Sequence, residues 1–110
     1  MEIIVFEEMD IRITEQTGRL EIAFIGNLDN SKTPEAKQTL APVFKRRDCD
    51  LLIDSSELNY ISSLGLRLLI DLYKHFRDCG HRAYIMNMNG IVKEVLQQSG
   101  FLTFYEEVAP

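Results

Sequence analysis

The run Leu51-Leu52-Ile53-Asp54 constrains this chain most. It is apolar without alternation, which suits a strand buried on both faces, as in a parallel sheet. A long helical pattern follows it. Leu64, Leu68, Leu72 and Phe76 recur at spacing four, Leu69 and Tyr73 run alongside, and Leu66 and Ile70 widen the band. Between strand and helix lies Asn59-Tyr60-Ile61-Ser62-Ser63-Leu64-Gly65-Leu66-Arg67. Two small hydroxyl residues therefore sit where a loop turns into a helix. A side-chain oxygen there accepts from the free N–H groups of the first turn. Those groups, with the positive end of the helix dipole, also favour an added negative charge. From local chemistry alone, the two serines are either plain caps or a phosphate acceptor with its neighbour.

The remaining segments arrange themselves around this unit. Residues 2–6 are a short apolar run, an edge strand or an ordered tail. Asp10 to Glu15 and Leu20 to Ile25 each alternate, with Thr17-Gly18 between them, the pattern of a β-hairpin. Gly26-Asn27-Leu28-Asp29-Asn30 reads as turn chemistry ending the second strand. A helix is expected from Pro34 or Glu35 to Phe44, capped by Ser31 or Thr33, with Pro42 kinking or ending it early. Lys45-Arg46-Arg47 reads as a solvated connection. After the long helix, Gly80 is a candidate left-handed cap. Arg82 to Met86 is a further strand, Ile91 to Ser99 a short helix, and Phe101 to Val108 a last strand or extended segment. The order is strand, strand, helix, strand, helix, strand, helix, strand. It implies one α/β domain over residues 1–110, with a mixed, mostly parallel sheet. On such sheets functional groups gather beyond the C-terminal ends of strands, and Asp29, the Asp54 loop and Ser62-Ser63 all fall in such loops.

Composition narrows the function. With 110 residues, 45% of them hydrophobic, one domain with a real core is expected. A net charge of −5 argues against nucleic acid as a general partner. No apolar run approaches the roughly 20 residues of a membrane span, and the acidic start of the chain does not resemble a signal or transit peptide. Cys49 and Cys79 form no CxxC, which fits reduced thiols in a cytoplasmic protein. Catalysis by Ser63 would need a base. His75 stands twelve residues on in the same helix, roughly 18 Å away at 1.5 Å per residue, and His81 is farther. There is no nucleophile elbow, P-loop or dinucleotide fingerprint. No metal site and no cofactor are expected.

Three segments together resemble the STAS domain of anti-sigma-factor antagonists. Gly26-Asn27-Leu28-Asp29 is similar to the family's G-x-L-D after its second strand. Leu51-Leu52-Ile53-Asp54-Ser55-Ser56 is similar to its apolar strand ending in Asp and a small polar residue. Tyr60-Ile61-Ser62-Ser63-Leu64-Gly65-Leu66 is similar to its aromatic-apolar-(Asp or Ser)-Ser-x-Gly-Leu motif. Gly80 and Ser99-Gly100-Phe101 fit as well, and the likeness covers about residues 10–108. Many members carry Asp where this chain has Ser62, and Leu64 replaces a residue that is often small.

The resemblance implies partner switching. Its acceptor serine corresponds to Ser63, phosphorylated by a serine kinase of the histidine-kinase-like ATPase fold that doubles as anti-sigma factor. A serine phosphatase resets the switch. Asp29, Asp54, Ser62, Leu64 and Gly65 are the expected partner-binding residues. Gly65 costs about 1 kcal/mol relative to Ala in a helix, so close approach by a partner or a neighbouring strand should require it. The alternative is an unphosphorylated STAS scaffold in an anion-transporter or lipid-transport complex.

Overall fold

The computed structural model describes residues 2–5 and 9–108. Phe6, at the end of the first apolar run, lies outside them. The sheet is built from β1 (Glu2–Val5), β2 (Met9–Gln16), β3 (Arg19–Leu28), β4 (Asp50–Asp54), β5 (Leu58–Ile61), β6 (Ala83–Met86) and β7 (Glu106–Val108). Three α-helices connect them: α1 (Thr33–Thr39), α2 (Ser63–Asp78) and α3 (Gly90–Gln98). The strand order is β1-β2-β3-β4-β6-β7, with β5 paired to β3. The β1–β2 and β2–β3 pairs are antiparallel, and the four others are parallel. The mixed, mostly parallel α/β sheet is therefore the one the segment order implies.

The hairpin forms around Thr17-Gly18, where Gly18 takes φ +73°, a conformation that costs glycine least. The second strand, however, does not stop at Gly26. It runs to Leu28 and divides one edge between two partners. Arg19–Ala23 pairs with Asp50–Asp54 of β4, and Gly26–Leu28 pairs with β5. The register shifts as Gly26 faces Leu58 and Asn27 faces Tyr60, so Asn59 is the extra residue of a bulge. That bulge turns both Leu58 and Ile61 inward although they stand three apart, leaving Asn59 and Tyr60 exposed. A strand thus occupies a segment expected to be loop.

The first helix is also shorter than expected. It ends at Thr39, and a 3₁₀ turn over Val43–Lys45 follows Pro42. Proline has no N–H and its ring collides with the carbonyl four residues back, so the α-helix cannot continue through it. Neither Ser31 nor Thr33 supplies the cap. The Asp29 carboxylate accepts from the Ser31 N–H at 3.0 Å and the Lys32 N–H at 2.9 Å, while the Thr33 hydroxyl donates to the Asp29 carbonyl at 2.7 Å. In the basic connection, Arg46 is tethered by Glu15 at 2.6 Å and Asp48 at 3.0 Å.

Helix α2 is the central packing element. Its buried residues Leu68, Leu69, Leu72 and Phe76 join the core of Ile22, Phe24, Leu51, Ile53 and Ile85. Each such side chain contributes about 1.5–3 kcal/mol when fully buried. Gly80 ends the helix at φ +81°, as expected. The C-terminal segment locks onto the same helix. Tyr105 stacks on Phe101 at 4.7 Å, and its hydroxyl donates to the Leu69 carbonyl at 2.6 Å. Burial raises the Tyr105 pKa well above its ordinary value. Because the folded pKa lies above the unfolded one, this contribution is whole below about pH 10 and is lost as pH rises beyond it. Tyr105→Phe should cost about 1 kcal/mol at pH 7 and flatten the loss of stability above pH 10, read from urea midpoints at the two pH values. An alkaline loss as steep as the parent's would assign the effect elsewhere.

Candidate functional site

The site forms where β3, β5 and α2 meet. Ser62 is the N-cap of α2, with extended backbone at φ −90° and ψ 174°. Its hydroxyl accepts from the Gly65 N–H at 3.2 Å, and its own N–H donates to the Leu28 carbonyl at 2.9 Å. Ser62 is only 6% exposed. Ser63, one residue on, is the first helical residue and is exposed. Its hydroxyl takes part in no hydrogen bond among the described residues. The two serines therefore divide the two roles that local chemistry left open: one hydroxyl is committed to the helix start, and its neighbour is free.

Gly65 shows why this helix begins where it does. A Cβ there would stand 2.8 Å from the Leu28 carbonyl oxygen, and 2.9 Å from both the Ile61 and Leu28 side chains. The close approach is thus to the neighbouring strand. Ser62 and Gly65, expected in partner contact, are both buried and shape the surface from beneath. Leu64 projects outward, 48% exposed.

Asp29 follows Leu28 directly and so borders the same place. Hydrogen bonds from the Ser31 hydroxyl and then the Lys32 N–H hold its pKa below the ordinary carboxylate value. It is the capping carboxylate of the turn that starts α1. Asp54 is set apart. It pairs with Ala23, five residues before Leu28, roughly 16 Å along the strand. There its carboxylate accepts from the Ser56 N–H at 3.0 Å and the Asn87 amide at 3.3 Å, bracing the loop that feeds β5. The structure therefore gathers Asp29, Ser62, Ser63, Leu64 and Gly65, and leaves Asp54 one loop away.

Several residues at this surface were not among the expected site residues. Tyr60, 50% exposed, flanks the site on β5, and Ile91, 68% exposed, opens α3, which packs on β5. Asn89 fixes that helix start, accepting from the Val92 N–H at 2.9 Å and donating to the Leu58 carbonyl at 2.8 Å. On the other side, a groove of about 240 Å³ separates α1 from α2, lined by Pro34, Lys37, Leu64, Arg67, Leu68 and Asp71. The histidines are engaged away from Ser63: His75 with the Arg46 carbonyl at 2.6 Å, His81 with Asp50 at 3.0 Å. Among the described residues no cluster of His, Cys, Asp and Glu is arranged to hold a metal ion, and no helix is long and apolar enough to cross a membrane.

The fold has known counterparts. The STAS domain family matches residues 9–109. The candidate anti-sigma factor antagonist BtrV of Bordetella bronchiseptica is 25% identical over 97 residues, spanning 88% of this chain and 84% of that protein. Among solved structures, an anti-sigma-factor antagonist (STAS) domain protein from Planctomyces limnophilus superposes with a TM-score of 0.80 at 16% identity, covering 91% of this chain and 90% of the other. The unphosphorylated form of the anti-sigma factor antagonist SpoIIAA gives 0.74 at 15% identity, with 89% and 87% covered. The phosphorylated form of SpoIIAA from Bacillus gives 0.68 at 14%, with 89% and 90% covered. With the fold in agreement and the family model matching residues 9–109, the chain belongs to the STAS domain family.

Proposed function

We propose that this chain is the phosphorylatable member of a partner-switching pair, with Ser63 as acceptor. The observation that carries the reading is the division of labour between the serines: Ser62 is buried and bonded, while Ser63 is exposed and uncommitted. The unmodified form binds a serine kinase of the histidine-kinase-like ATPase fold that also serves as anti-sigma factor. That kinase moves the γ-phosphoryl group of ATP to the Ser63 oxygen, with loss of the hydroxyl proton. The modified form dissociates, and a serine phosphatase restores the hydroxyl. Leu64, Tyr60 and Asp29 lie on the contacting surface, whereas Ser62, Gly65 and Asp54 act by fixing its shape. Binding of proteins in the cytoplasm, rather than of nucleic acid or membrane, accords with the net charge of −5. The existence of a solved phosphorylated form of SpoIIAA supports the chemistry on this fold.

Intact-mass and phosphopeptide analysis of the protein from its host tests the reading. A phosphate present in the parent and in Ser62→Ala, but absent from Ser63→Ala, is the expected result. A chain that stays unmodified across growth and stress conditions would favour a scaffold role in a transport complex.

A further inference from the structure

Arg67 stands one helical turn after Ser63, at the i,i+4 spacing that makes side chains neighbours on a helix surface. It is exposed, and among the described residues it makes no ion pair within 4.0 Å. Asp71, a further turn on, lines the same groove. Arg67 therefore lies between two positions for an anion. The order acid before base is the better one for an i,i+4 pair, and base before acid the weaker. A phosphate on Ser63 has that better order and carries nearly two charges, against one for Asp71. Lys37 of α1 faces the groove from the other side and is likewise without an ion pair.

We infer that phosphoserine at position 63 is held by Arg67, with Lys37 of α1 supplying a second, weaker contact across the α1/α2 groove. The inference rests on Ser63 as acceptor and specifies how that site is regulated. Modification then acts on the partner surface twice: it adds a dianion, and it draws the groove's two cations onto that anion. Arg67 consequently turns from the groove toward the helix start, beside the exposed Leu64. A partner that reads Leu64 and these cations together loses both at once.

The test does not need the kinase. Phosphoserine is installed at position 63 of the full chain by genetic encoding, and its second ionisation is followed by phosphorus NMR. Arg67→Gln should raise that pKa by about 0.15–0.4 of a unit, the size expected for an exposed helix pair. Lys37→Gln should raise it less, Arg67→Lys should restore most of the shift, and Asp71→Asn should lower the pKa by releasing Arg67. All four effects should shrink in high salt. Identical titrations for the parent and Arg67→Gln at low salt would overturn the inference. Failure to find phosphate at Ser63 in the host would instead overturn the switching function and leave this titration untouched.

Discussion

Gly65→Ala should destabilise the protein by about 2 kcal/mol, although alanine is the better helix former by about 1 kcal/mol. The added methyl would meet three atoms closer than 3.0 Å, and one of them is a backbone oxygen. That oxygen, Leu28 O, cannot swing aside, because it already accepts from the Ser62 N–H at 2.9 Å. Relief requires α2 to lift from β3, which lengthens the bond that fixes its own cap. With a urea slope of about 1–3 kcal/mol per molar, the midpoint should fall by roughly 1 M. An unchanged or higher midpoint would mean that the helix start slides outward at no cost, and that the approach to Leu28 does not require glycine. Because Ser63 rides on this first turn, the substitution should also slow the proposed phosphorylation even where folding is complete.

The sequence showed some parts of this arrangement and concealed others for identifiable reasons. Spacing-four leucines made α2 legible, since burying one helical face demands that period. The hairpin was legible because alternation and Thr17-Gly18 agreed. Strand β5 was not, because the bulge at Asn59 breaks the alternation that marks a strand, putting Leu58 and Ile61 on the same side. Gly26 looked like an end because glycine commonly ends strands. Here it sits at φ +101° beside the register shift and lets β3 pass from β4 to β5. At the start of α1, four residue types suited to capping, in Asp29, Asn30, Ser31 and Thr33, stood close together. Only the fold shows that the Asp29 carboxylate takes the Ser31 and Lys32 N–H groups of the turn that leads into the helix. That a cap lies at Ser62-Ser63 followed from local chemistry, whereas the choice between them and the exposure of Tyr60, Ile91 and Arg67 depend on contacts between distant segments.

With Ser63 as the proposed acceptor, its phosphorylation should weaken binding to the proposed kinase partner by about 100-fold, while Ser63→Ala should bind within a few-fold of the parent. The hydroxyl makes no bond that holds the fold together, so its removal leaves the helix start intact. A phosphate is different. Its own helix tolerates it, because the free N–H groups and dipole of α2 stabilise an anion by about 0.3–1 kcal/mol. In the complex, the same anion must be stripped of water against a surface fitted to a neutral serine and to Leu64. Even with Arg67 beside it, a dianion desolvated at a buried contact costs about 2–5 kcal/mol, and 2.7 kcal/mol is about 100-fold in affinity. Ser63→Glu carries one charge on a longer arm and should lose about tenfold. Leu64→Ala removes an exposed side chain, so it should weaken binding without lowering the urea midpoint. Calorimetry with the parent and these four altered proteins against the kinase separates these effects. Equal affinity for the phosphorylated and unmodified chains would remove the physical basis of the switch. A loss reproduced by Ser63→Ala would show instead that the hydroxyl itself is bonded in the complex, and that the phosphate acts by blocking that bond.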